Sequence, residues 1–156
     1  MKLTVPARLA AASLAAVALA GCSYVNPITT HKNYSASDGT QLVVGDVSAL
    51  NLIVLAEEID APATLIGTLV NESDEDVALD ISIDGQSTTS LTLEAGSTVK
   101  LGPADGDTEV SGVAVAAPGF IANVAFAADT VDVHAVEVPV MDGTLPEYAD
   151  LVAEIG

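Results

Sequence analysis

The sequence predicts an all-β domain: an Ig-like antiparallel β-sandwich of about seven to nine strands, finished by a short C-terminal helix or strap. Three observations predict it. Short runs rich in Val, Ile, Leu and Thr recur from residue 39 onward, several of them alternate strictly between apolar and polar side chains, and the joins between them carry turn chemistry. The chain has 156 residues, half of them apolar, enough for one hydrophobic core of ordinary size. Aromatic residues make up only 3% and Trp is absent, so that core has to be built from Val, Leu, Ile and Ala.

The runs lie at 41–45, 50–55, 64–70, 77–83, 90–94, 98–101, 110–115, 121–127 and 131–138. In the fourth, Leu79, Ile81 and Ile83 point one way and Asp80, Ser82 and Asp84 the other; in the fifth, Leu91 and Leu93 oppose Thr92 and Glu94. In the ninth, Val131, Val133 and Ala135 read as inward and Asp132 and His134 as outward, after which Val136 and Val138 take over from Glu137, the slip that a β-bulge produces. Asp84-Gly85, Ala95-Gly96, Asp105-Gly106 and Pro118-Gly119 supply turns. No run is followed by a helical period long enough for a crossover, which disfavours a parallel sheet. From Leu145 to Ile155, with Pro146 in the first turn, Leu145, Tyr148, Leu151, Val152 and Ile155 share one helical face, a short helix or strap laid on the sandwich.

The N-terminus has a different character. Lys2 and Arg8 precede an apolar run at 9–20, which falls short of the roughly 20 residues that span a membrane and suits a secretory signal. It ends in Leu19-Ala20-Gly21-Cys22, a string that resembles the lipobox of bacterial lipoproteins. That resemblance makes Leu19, Ala20 and Gly21 the signal-peptidase recognition residues and implies a diacylglyceryl thioether on Cys22, the only cysteine of the chain. The expected organisation is a signal peptide at 1–21, a lipidated tether at 22–38 and the sandwich at 39–156, held by its lipid on the extracytoplasmic face of the cell membrane. Loss of residues 1–21 removes Lys2 and Arg8 and no acid, taking the net charge from −18 to −20. The tether, rich in Ser, Thr and Asn and broken by Pro27, reaches at most roughly 55 Å when extended. Asn33-Tyr34-Ser35 and Asn71-Glu72-Ser73 match the N-glycosylation pattern, which a bacterial lipoprotein has little use for.

Charge and residue inventory then exclude whole classes of activity. Four Lys and Arg against twenty-two Asp and Glu would repel nucleic acid. Glu72, Asp74, Glu75 and Asp76 lack the glycine-enforced turn of a calcium loop, and Asp105-Gly106-Asp107 lacks the remaining ligands. Ser97-Thr98-Val99-Lys100 matches Ser-x-x-Lys, but a strand sends those two side chains to opposite faces, and the accompanying motifs are missing. His31 lies in the tether and His134 is the one histidine of the domain, no Gly-x-Ser-x-Gly occurs, and arginine is confined to the signal peptide. A non-enzymatic domain without a cofactor is expected. For copper, His134 and Met141 are the weak ligand candidates, with His31 on a flexible arm.

The lipobox at Leu19 to Cys22, the Thr-, Asn- and Ser-rich tether, the run at 64–70 leading into Asn71-Glu72-Ser73, and the late Val138-Pro139 together resemble a family of small actinobacterial cell-envelope lipoproteins. The sandwich domain of that family is similar to periplasmic copper chaperones. Those chaperones carry a histidine followed two residues later by methionine, whereas here Ala135 and Val136 follow His134, so the resemblance does not bring copper transfer with it. It does imply association with respiratory oxidase supercomplexes. The expected role is a membrane-anchored, non-catalytic binding or assembly subunit with a protein partner in the envelope; the alternative is a divergent copper or other metal carrier. Replacing the thioether-forming residue by Cys22→Ser is expected to move the protein from the membrane to the soluble fraction, read by fractionation and blotting; retention in the membrane with the signal removed would overturn the anchor.

Overall fold

The computed structural model describes residues 37–104, 107–128 and 131–155, together with Val5, Pro6 and Ser13. The chain divides into two compact units, Met1–Tyr34 and Ser35–Gly156. The lipobox, the tether as far as residue 36 with His31, and Asp105-Gly106 lie outside the described residues.

Among the described residues, the second unit holds nine strands and one helix: β1 (Thr40–Val44), β2 (Val47–Ala56), β3 (Pro62–Asn71), β4 (Val77–Ile83), β5 (Thr88–Leu93), β6 (Thr98–Leu101), β7 (Ser111–Val113), β8 (Ile121–Ala128), β9 (Val131–Met141) and α1 (Pro146–Ala153). The alternating sequence runs become half-buried strands as expected. Leu79, Ile81 and Ile83 of β4 and Leu93 of β5 are buried, with their polar neighbours outside. The strand order β5-β4-β8-β9-β2-β3-β6, with β1 added to β2 and β7 to β3, wraps into a nearly closed sandwich. Between the named strands, all pairings but one are antiparallel. The exception is a short parallel contact, Val54 with Val140 and Leu55 with Met141, by which the end of β9 leaves β8 and joins the other sheet. A parallel contact arises here without a crossover helix because the chain travels round the sandwich between the two strands.

Strand β2 carries the decisive irregularity. Val47 and Ala49 point into the main core, and so do Leu52, Val54 and Ala56; the inward parity changes between them. The extra residue is Asn51, at φ 52°, where the register with β3 shifts. Asparagine tolerates this left-handed conformation better than most residues. After the bulge, every residue from Leu52 to Ala56 is fully buried, because Ile53 and Leu55 face the opposite side under α1. Two glycines let neighbouring strands approach the bulge. A Cβ on Gly39 would stand 2.5 Å from the Asn51 carbonyl carbon, and one on Gly67, at φ 152°, would stand 2.9 Å from the Leu50 carbonyl oxygen and 3.0 Å from Leu52 Cδ2. The Gly39 amide donates to Asn51 Oδ1 at 3.1 Å and completes the clamp.

The helix covers the outer face of β2 and β3. Tyr148 and Val152 bury themselves on Ile53, Leu55 and Ile66, with Met141, Leu151 and Ile155 at the margin. Leu145, expected on the same face, is 40% exposed and caps the helix start. The Tyr148 hydroxyl donates to Asp38 Oδ2 at 3.1 Å, which ties the helix to the root of β1. Burial, and next the Asp38 carboxylate, raise the Tyr148 phenol above its ordinary 10.0.

On the far side of the sheet, the polar loop after β3 is organised by one buried side chain. Asn71 Nδ2 donates to the carbonyls of Glu75 (2.8 Å), Leu93 (3.2 Å) and Glu94 (3.0 Å), while Asn71 Oδ1 accepts from the Ser73 amide (3.0 Å) and hydroxyl (2.8 Å). The side chain thus ties β3, its loop and the β5–β6 turn together.

Two stability predictions follow from these contacts. Gly67→Ala is expected to cost about 2 kcal/mol and Gly85→Ala, where the added Cβ meets nothing within 4 Å, about 1 kcal/mol, both read as shifts in a urea midpoint; equal costs would remove the close approach at the bulge. Asn71→Asp sets a carboxylate against three carbonyl oxygens and is expected to cost about 3 kcal/mol; a shift under about 0.5 kcal/mol by the same measurement would contradict this role for the amide.

Candidate functional site

The residues that carry the most chemistry in the sequence are not brought together. Strand β9 keeps one inward parity without interruption: His134, Val136, Val138 and Val140 lie on one face and Val133, Ala135 and Glu137 on the other, with Val133 68% exposed. His134 pairs directly with Phe126, which is fully buried, so its ring shares the inner face at the sandwich margin rather than standing on the polar face. The expected bulge after Ala135 is absent; the register shift lies earlier, between Phe126 and Ala128 of the partner strand. Val136 and Val138 therefore continue the pattern begun by His134. Met141 has the opposite parity and packs under α1. Seven residues of strand separate the two by roughly 23 Å. His134 and Met141 do not form a common ligand site, and among the described residues no three His, Cys, Asp or Glu side chains gather as a metal-binding group.

The acidic loop behaves as a folded connector. Asp46 and residues 73–78 line an open cleft of about 570 Å³. Inside it, Asp76 Oδ1 accepts from the Ala95 amide at 2.9 Å, and Ser73 serves Asn71 and the Glu75 carbonyl. These bonds spend the side chains on holding the turn. Ser97 and Lys100 also fail to converge: β6 is a strand, so they fall on opposite faces, and Lys100 pairs with Asp107 at 3.6 Å.

The structure instead assembles a site that the sequence reading passes over. At the end of the sandwich where β2 turns into β3, Ile59, Val115, Phe120 and Ile121 line an open apolar hollow of about 580 Å³, together with Ala116, Ala117 and Gly119. Phe120 is 67% exposed and Ile121 52%, whereas the chain's other phenylalanine, Phe126, is fully buried. Water contact with side chains this large is unfavourable, and a contiguous group of them marks a contact surface more often than a solvated one.

Both loops that present these side chains are fixed. The Asp60 amide donates to the Ala114 carbonyl (2.8 Å) and the Ala114 amide to the Ala61 carbonyl (3.0 Å), locking the β2–β3 loop to the segment after β7. Asp60 takes the left-handed conformation, φ 65°, to make this turn. On the other side, Pro118 and Gly119 form a tight turn in which the Phe120 amide donates to the Ala117 carbonyl at 3.1 Å. That turn is anchored to β9 twice, Gly119 N to the Val140 carbonyl and Val140 N to the Phe120 carbonyl, each at 2.9 Å. Two signals for this site stand in the sequence: a lone Ile59 inside Glu57-Glu58-Ile59-Asp60, and an aromatic side chain directly after Pro118-Gly119.

No protein-family model matches the chain, and no curated protein does. Among solved structures, the chain is similar to the apo PCuAC domain from PmoF1, with a TM-score of 0.51 at 14% identity, over 65% of this chain and 98% of that one. It is also similar to the copper-bound PCuAC domain from PmoF2, with a TM-score of 0.49 at 17% identity, over 65% of this chain and 97% of that one. At such identities the likeness is one of fold: a β-sandwich similar to that of the PCuAC domain from PmoF1.

Proposed function

We propose that this chain is a lipid-anchored, non-catalytic binding subunit of a membrane complex, held on the extracytoplasmic face by Cys22 and docking through the apolar end of its sandwich. The carrying observation is that end: four large apolar side chains, set on two hydrogen-bonded loops, in a chain with a net charge of −18. A soluble domain gains nothing from fixing Phe120 in water. A domain that covers it on docking gains the burial of the ring, on the order of 2 kcal/mol, with little ordering cost because the loops are already in place. The lipobox at Leu19 to Cys22 supports the anchor, and the family resemblance makes respiratory oxidase supercomplexes the first class of complex to test.

A second reading, a copper carrier, draws on the likeness of fold to the PCuAC domain from PmoF1. It has to find ligands other than His134 and Met141 as a pair, since they face opposite sides of β9.

Purification of the full-length protein from its own membranes in mild detergent, with mass spectrometry and copper analysis on the same eluate, separates the two. Recovery in a stoichiometric membrane complex, with copper far below one per chain, is the expected result. Recovery of the protein alone with copper near one per chain would sink the subunit reading in favour of the carrier.

A further inference from the structure

The charges around the apolar hollow select what can fill it. Ile59 sits between Glu58 and Asp60, both exposed on the same hydrogen-bonded loop, while the preceding Glu57 lines a separate cleft beside α1. On the other side, Glu137 stands opposite Asn123, on the same outer face as Ile121 and two residue pairs along from Ile121 and Pro139. The hollow is therefore flanked by carboxylates on two sides. Among the described residues the cation Lys100 lies far from it: Lys100 pairs with Thr68, six residues along β3 from Pro62 at the hollow's rim, or roughly 20 Å, and it faces Asp107.

This arrangement rejects three occupants on charge alone. A second copy docking by the same face would press both sets of carboxylates together without a cation between them, in a site that the apolar side chains keep poor in water. Anionic lipid headgroups and nucleic acid meet the same repulsion. A protein surface carrying a large apolar side chain within a collar of Lys or Arg meets attraction instead. The apolar centre would supply affinity, and the acidic rim would set register and hasten encounter.

We propose that the face formed by Ile59, Val115, Phe120 and Ile121 docks a segment of a partner protein that presents an apolar side chain flanked by lysine or arginine. This rests on the reading of the chain as a binding subunit and adds the place and the chemistry of the contact.

The test uses the full-length protein in its own membranes, with photoreactive benzoylphenylalanine replacing Phe120 in one strain and Val43 in another. Val43 is an exposed residue of β1 that pairs with Ser48, eight residues along β2 from Ala56 and so roughly 26 Å from the hollow's end of the strand. After illumination, the cross-linked peptide is sequenced, and co-purification of the complex is scored in the same sample. The expected result is an adduct from the Phe120 position to a partner peptide with Lys or Arg beside the attachment point, and none from Val43. Its yield should fall about fivefold or more in roughly 0.5 M sodium chloride and in the double variant Glu58→Lys, Asp60→Lys. An adduct to this same chain, to lipid or to an acidic peptide would overturn the proposal, as would a salt-insensitive adduct. An intact complex without any Phe120 adduct overturns the docking face and leaves the subunit reading standing; absence of any complex overturns both.

Discussion

Strand β2 has to bury one row of side chains in the sandwich and another under α1, and a strand can do so only if its residues change sides at the right point. Asn51 makes that change. Before it Val47 and Ala49 face the core; after it Leu52, Val54 and Ala56 do, leaving Ile53 and Leu55 for the helix. Without the extra residue, the second half of β2 would rotate its row by one position. The bulge itself survives because Gly39 and Gly67 leave no side chain where the neighbouring strands pass it. Helix docking, the register with β3 and the parallel contact with β9 are all downstream of this one left-handed residue.

The same geometry places the apolar end of the molecule. Strands β2 and β3 run past the bulge, continuously paired from Ile53 with Ile66 to Ala56 with Ala63, and deliver the loop that holds Ile59. The Pro118-Gly119 turn is positioned by β9, whose final residues pair with β2 at Val54 and Leu55. Both walls of the hollow thus hang from the second half of β2, the most deeply buried stretch of the domain. A surface built this way does not have to order itself on contact, which lowers the cost of covering it.

How far this was legible in the sequence depends on the kind of signal. Strands Val77–Ile83 and Thr98–Leu101 have the limits their sequences suggest, because alternation and flanking turns both specify them. Strand β2 extends three residues before the run read as 50–55, since Val47, Ser48 and Ala49 are individually weak signals and gain their pairing from β1 and β3. The parity change is visible only once burial is known: in the letters, a bulge at Asn51 and an ordinary polar position look alike. In β9 the opposite error arises. An exposed Val133 reads as inward, and the apparent slip at Val136 follows from that first misplacement. The apolar hollow was partly legible, through Ile59 among acids and Phe120 after a turn, but its two halves are about sixty residues apart and only the fold puts them side by side.

Asn71 has a consequence for the life history of the molecule. Its amide is consumed by three carbonyl oxygens in the interior, so nothing can be attached to that nitrogen once the β5–β6 turn has closed over it. A group attached there would have to arrive while the β5–β6 turn is open, and it would leave three interior carbonyls without their donor.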